Sequence, residues 1–285
     1  MNAPKLHHYV PQFHLRRFAD SKGCLWVWDK QNDRIFSAPP AGMAAETHFY
    51  RLTQYEGLGY DPAMMEHQLS SLEAAMAAVT GQWLDWLPDM APLDRLPIPR
   101  ANRRAVALFL AVQVLRTRDT RDILSALVEL DRGTRPSQQE ERELHTELIW
   151  DEKLVETLAR RFSRSIWIIG LNDSGTPFVT SDNPVAFRTA DNRQWRRAAI
   201  LERGTYLVYP LSPTAILYCH PPHGHFRALR RFADSVSPVT FTQSMVESDN
   251  SGQTFMATRF LMSSRQNFEA ERAFAATVGT DIYAG

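Results

Sequence analysis

Apolar positions recur at helical spacing through the middle of the chain and at strand spacing on either side of it. Met65, Leu69, Leu72, Met76, Val79 and Trp83 form a stripe with heptad-like spacing. Asp61-Pro62 ahead of it reads as an N-cap followed by the first helical position. A Pro-rich connector spans 88–99. From Arg100 a second helix is predicted. Between Ala105 and Leu115 its only polar residue is Gln113, so most of its sides should be buried. It carries on, or restarts, to about Leu130. A third helix over 138–162 sets a charged face against Leu144, Leu148, Leu154, Leu158 and Phe162.

Outside this region the period shortens. Cys24–Trp28 alternates as a strand, Lys30–Asp33 turns, and Arg34–Phe36 returns as a hairpin. Ile166–Leu171 is β-rich, Asn172-Asp173-Ser174-Gly175 is a turn, and Phe178-Val179-Thr180 is expected to return from it. Residues 188–203 read as a polar surface loop. Tyr206–Leu211 and Ala215–Cys219 form two strands around Ser212-Pro213, and 250–262 reads as a helix. The predicted fold is α+β: a helical middle segment packed with short, mostly antiparallel strands from the N-terminal and C-terminal parts. One domain is expected over 1–285, with an N-terminal arm and hairpin to residue 60, a helical region over 61–165 and a β-rich region with a C-terminal helix beyond.

Composition narrows the classes. The 285 residues carry 32 basic and 32 acidic side chains, so any nucleic-acid contact must come from a local patch rather than from overall charge. Cys24 and Cys219 stand far apart and outside any CxxC pair, which predicts neither a disulfide framework nor a zinc finger. With no apolar run of membrane length and no signal-peptide core, a cytoplasmic protein without membrane contact is expected. The chain has no GxGxxG after a strand, no GxxxxGK[ST], no HExxH and no GxSxG.

The densest chemistry lies at the start. His7, His8, Gln12, His14, Arg16 and Arg17 crowd around Val10-Pro11. His7 and His8 point to opposite faces of an extended segment, so one can face a pocket. In a helix beginning at Pro11, Gln12 and Arg16 fall one turn apart on one face. Otherwise the segment is an arm docked by hydrogen bonds. Thr180-Ser181-Asp182-Asn183-Pro184 follows a strand, and Asp182 and Asn183 there either serve a reaction or form a turn by bonding their own backbone. Arg116 falls on the apolar face shared by Ala105, Leu108, Phe109 and Val112, where a guanidinium needs an anion. Glu66 and Glu73, seven residues apart beside the Met65–Trp83 stripe, are the candidates for a structural ion pair with it.

These residues carry a resemblance. His7-His8-Tyr9-Val10-Pro11-Gln12 with Leu15-Arg16 and Phe18 is similar to the opening of the bacterial domain-of-unknown-function family numbered 4238. Trp26–Lys30, Ala45-Glu46 before Phe49-Tyr50, Glu66 with Glu73, Gln113 with Leu115-Arg116-Thr117, Phe178–Pro184 and Tyr209–Pro213 follow in the family's order, covering roughly 7–265. The C-terminal part departs most, with only Asn250 before Thr254–Leu261 resembling the expected Asn-led helix. The resemblance implies site positions and no activity.

The leading expectation is a metal-dependent hydrolase acting on a phosphate ester, with a nuclease as one form of it. His8 would be base or ligand, Asp182 a ligand, Gln12 and Asn183 orienters, and Arg116 an anion clamp. His8, Glu46 and Asp182 would hold a divalent metal such as Mg²⁺ or Mn²⁺. The alternative is a non-enzymatic module that binds an anion, nucleic acid or protein in the same polar groove. The partners expected are nucleic acid or a phosphorylated ligand, with no membrane.

Overall fold

The computed structural model describes residues 6–47, 49, 64–197, 202 and 204–278. The central element is a six-stranded sheet in the order β11-β5-β10-β9-β7-β8. Its members are β5 (Ile166–Leu171), β7 (Ala186–Thr189), β8 (Trp195–Arg196), β9 (Thr205–Ser212), β10 (Ala215–His220) and β11 (Ser235–Val236). All neighbours are antiparallel except β11 and β5.

Both faces of this sheet are covered, which is why β9 is buried along its whole length. Leu207, Tyr209 and Leu211 point into the main core with the helical middle, while Tyr206 and Val208 point the other way. The helical side is built from α2 (Met64–Trp86), α3 (Arg100–Leu115), α4 (Arg118–Arg132), α5 (Gln138–Trp150) and α6 (Glu152–Ser163). Here α1 (Gln12–Arg17) precedes them in the chain. The opposite face is covered by α7 (Gln243–Met256), whose Val246 and Met256 join Phe178, Phe226 and Phe241. Gly252 of α7 lies against the Trp195 indole, and a Cβ there would come within 2.5 Å of the ring.

A second sheet, in the order β3-β2-β12-β6, combines β2 (Leu25–Asp29), β3 (Arg34–Ala38), β6 (Thr180–Ser181) and β12 (Phe260–Ser263). It closes under α8 (Glu269–Val278) through Trp28, Leu261, Phe268 and Ala275. The N-terminal strand β1 (Leu6–His8) pairs with β4 (Ala45–Thr47), placing His7 opposite Glu46.

The α+β architecture and the stripe hold: Met65, Leu69, Met76 and Trp83 are buried. Several boundaries differ from the sequence reading. Pro11 is the N-cap of α1 rather than its first residue. The second helix restarts at Thr117, whose hydroxyl accepts from the Thr120 N–H. The third breaks at Asp151, which caps α6 by accepting from the Leu154 N–H. Phe178–Thr180 does not return along β5. That edge of β5 is taken by β10, and Thr180-Ser181 pairs with β12 in the other sheet. The helix expected at 250–262 begins earlier, at Gln243, and its last residues form β12 instead. The loop expected at 188–203 contains β8. The Asp61-Pro62 cap lies outside the described residues. Among the described residues no helix is long and apolar enough to cross a membrane.

Candidate active-site cleft

Three short segments converge on one open polar cleft of about 350 Å³, bounded by His8, Gln12, Arg16, Glu66 and Glu73. Its floor is Ser70, Ala74 and Ala77 of α2. Small side chains at this helical spacing leave the space that larger ones would fill.

Each wall residue is set by its element. His8 ends β1, and its Nε2 donates to the Ala41 carbonyl at 3.0 Å. A carbonyl only accepts, so neutral His8 carries its proton on Nε2 and its basic lone pair on Nδ1. Burial, more than the neighbouring charges of Arg116 and Arg16, lowers the His8 pKa below the ordinary 6.5. The residues one turn apart on α1 meet as expected: an Arg16 guanidinium nitrogen donates to Gln12 Oε1 at 2.8 Å. Across the cleft, Glu66 is raised above the ordinary 4.5, first by burial and then by the like charge of Glu73.

Arg116 stands behind this wall. It is 1% exposed, donates to Glu73 Oε1 at 2.7 Å and, through Nε, to Gln113 Oε1 at 2.8 Å. Gln113 in turn donates to the Tyr9 carbonyl at 2.9 Å. The single polar residue of the apolar run on α3 thus ties the N-terminal segment to the buried arginine. Arg116 takes the structural ion pair that its apolar face demanded, and the arginine that lines the opening is Arg16.

The other expected residues lie elsewhere. Asp182 is buried, and its carboxylate accepts the backbone N–H groups of Thr258 (2.9 Å), Arg259 (2.8 Å) and Phe260 (3.0 Å). Burial pushes its pKa up while these donors and Lys30 pull it down. It fastens β6 to the start of β12, and its donors come from that distant segment rather than from the backbone of its own turn. Asn183 donates to Asp119 Oδ2 at 3.1 Å, and Asp119 pairs with Arg197 at 2.5 Å. Glu46 faces Arg118 at 3.3 Å and Arg121 at 3.6 Å. The expected ligand set of His8, Glu46 and Asp182 is therefore corrected: the three do not converge. Among the described residues no group of three or more His, Cys, Asp or Glu side chains is placed to hold a metal ion.

His14 is also structural. It is fully buried, with Nε2 at 2.8 Å from Thr180 Oγ1 and Nδ1 at 2.9 Å from the Tyr209 hydroxyl. The N-terminal histidines thus divide: His14 docks the arm and His8 faces the cleft. Glu66 was read from the sequence only as a partner for Arg116. The signal for its place in the cleft was its spacing of seven residues from Glu73, which puts both carboxylates on one helical face.

Residues 6–267 match the family described as "Protein of unknown function (DUF4238)". No curated protein and no solved structure matches the chain.

Proposed function

The chain belongs to the DUF4238 family, and from that premise, which brings no activity with it, we propose that the His8 cleft is the active site of a hydrolase acting on a phosphate ester. The observation that carries this reading is the gathering of a base, an amide, a cation and two carboxylates around one 350 Å³ opening. The two titratable groups are displaced in opposite directions: His8 is held neutral and Glu66 is held toward its protonated form. A neutral imidazole beside a protonated carboxyl offers one site both a base and an acid.

In this reading His8 Nδ1 takes a proton from an attacking water, whose oxygen bonds to phosphorus. The ester P–O bond breaks, and the Glu66 carboxyl gives its proton to the leaving oxygen. Arg16, fixed by Gln12, holds the phosphoryl charge. His8, Glu66 and Arg16 together supply the base, the acid and the cation of the scheme.

The test is release of p-nitrophenol from bis(p-nitrophenyl) phosphate, with and without Mg²⁺, Mn²⁺ or EDTA, beside cleavage of short RNA and DNA. Removing a positioned acid or base costs roughly 10²–10⁴-fold in rate. His8→Ala and Glu66→Gln should each lose at least the lower figure while circular dichroism stays unchanged. Turnover that depends on added Mg²⁺ or Mn²⁺ refutes the metal-free scheme. Binding of phosphate by a wild type that cleaves nothing favours the non-enzymatic module.

A further inference from the structure

At the far end of α3 from Arg116, a second concavity of about 840 Å³ opens between the start of α3 and the end of α6. It is lined by Arg100, Arg103, Arg104, Arg160 and Arg164, with Glu156 as the one acid. In a chain of zero net charge, five arginines around one opening are a local concentration of positive charge. All but four of the 32 basic residues are arginine, and every basic residue here is.

The five divide by role. Arg103 is the floor: it donates to the Ser163 and Ser165 carbonyls at 3.1 and 3.2 Å, pairs with Asp234 and stacks over Trp167 at 4.2 Å. The other four are exposed. Arg100 and Arg104 stand one turn apart on α3, and Arg160 and Arg164 one turn apart at the end of α6. Arg160 faces Glu156 at 3.6 Å, an exposed pair of the kind that contributes little. Among the described residues no carboxylate pairs with Arg100, Arg104 or Arg164. The first turn of α3 has no acidic residue and no side-chain cap, so its partial positive charge is not offset locally.

Like charges held this close repel one another and raise no stability of their own. Their arrangement suits an anion that carries charge at regular intervals. Guanidinium forks match phosphate oxygens in pairs. Among the described residues no aromatic ring lines the opening, so none there stacks a base, and recognition falls on the backbone. A cavity of this size is at the upper end of the range that holds a small ligand and far too narrow for a duplex.

We propose that the arginine groove between α3 and α6 binds the phosphodiester backbone of a single-stranded nucleic acid, without sequence preference. The groove is independent of the His8 cleft. Arg100 and Arg116 are sixteen residues apart on or beside one helix, about 24 Å at 1.5 Å per residue. A cleft that proves inactive leaves this binding untouched, and a groove that proves idle leaves the cleft's chemistry untouched.

The experiment is fluorescence anisotropy of a short labelled single-stranded oligonucleotide of mixed sequence against the full chain. Four phosphate contacts at about 0.7 each in the salt slope predict binding roughly fifty-fold weaker at 200 mM than at 50 mM salt. Arg100→Gln/Arg104→Gln and Arg160→Gln/Arg164→Gln should each lose about half of that slope, and the quadruple variant all of it. Glu156→Gln, which removes the one acid, should tighten binding and so gives a readout that misfolding cannot imitate. The proposal is overturned if wild type leaves the anisotropy unchanged, if the quadruple variant binds as wild type does, or if polyglutamate displaces the oligonucleotide as well as unlabelled oligonucleotide of equal charge.

Discussion

The Arg116 guanidinium and the Glu73 carboxylate meet at 2.7 Å on the inner wall of the His8 cleft, with the arginine buried and the glutamate reaching the opening. One carboxylate thus serves two tasks. It neutralises a charge that α3 could not otherwise bury, and it raises the neighbouring Glu66. The cleft's electrostatics are therefore coupled to the packing of α2 on α3.

Arg116→Ala should destabilise the protein by about 3 kcal/mol, the lower end for breaking a buried pair, because the Glu73 left behind is 25% exposed and water can reach it. Chemical denaturation reads this as a lowered midpoint at unchanged slope. A midpoint equal to that of wild type would mean that the pair contributes nothing. The same variant should raise Glu66 further, since Arg116 is one of the charges holding it down.

Asp182→Asn should also destabilise, by roughly 1–3 kcal/mol. An amide cannot accept three backbone N–H groups as the carboxylate does, and its NH₂ would face a donor. The cost belongs to the junction of β6 and β12, so catalytic rate per folded molecule should stay at the wild-type value. A variant with full stability and no turnover would return Asp182 to the chemistry.

How much of this was legible in the sequence depended on whether a partner was local. Gln12 and Arg16 meet because both lie on one short helix, and the spacing alone places them. Arg116 required an anion from the apolar periodicity of α3, and Glu73 was one of two that α2 could offer. Asp182 was ambiguous because its partners, the N–H groups of Thr258 to Phe260, arrive from 76 to 78 residues away. No local pattern marks such a contact. Phe178–Thr180 went to the second sheet for a similar reason: the turn at Asn172–Gly175 was visible, but the competing claim of β10 on the edge of β5 was not. The arginine groove joins residues from two helices about sixty positions apart, and each pair alone reads as an ordinary solvated helix face.

Acid should weaken the fold. His14 and His145 are fully buried, and desolvation lowers each from 6.5 to about 3. A depressed histidine favours the native state above 6.5, and that contribution fades as pH falls toward the folded pKa, because the unfolded chain takes up the protons first. Each group should cost roughly 2 kcal/mol between pH 7 and pH 5. Asp249 works in the opposite direction. Burial raises it from 3.8 to about 6 despite its pairing with Arg188 and the Tyr218 hydroxyl, so its contribution grows as pH drops through 6. Urea midpoints should therefore fall from pH 7 to pH 5, and fall more steeply in Asp249→Asn. A midpoint that rises on acidification would refute this account of the buried histidines.

The pH profile of the cleft should be a bell. Turnover by the proposed scheme requires neutral His8 and protonated Glu66. Rate should drop at low pH as His8 takes a proton and at high pH as Glu66 loses one, giving a bell. His8 is moved down from 6.5 and Glu66 up from 4.5, so the acidic limb should lie below the range of a free imidazole and the alkaline limb above that of a free carboxyl. Glu66→Gln should lower the rate and abolish the alkaline limb, since an amide has no proton to lose, while keeping the acidic limb that His8 sets. His8→Ala should do the converse. A merely structural Glu66 would leave the shape of the profile as it is in wild type, whatever happened to the rate. The measurement is kcat/KM for bis(p-nitrophenyl) phosphate across pH 4–9, restricted to the range in which circular dichroism shows the fold intact. An unchanged alkaline limb in Glu66→Gln would remove that carboxyl from the role of acid.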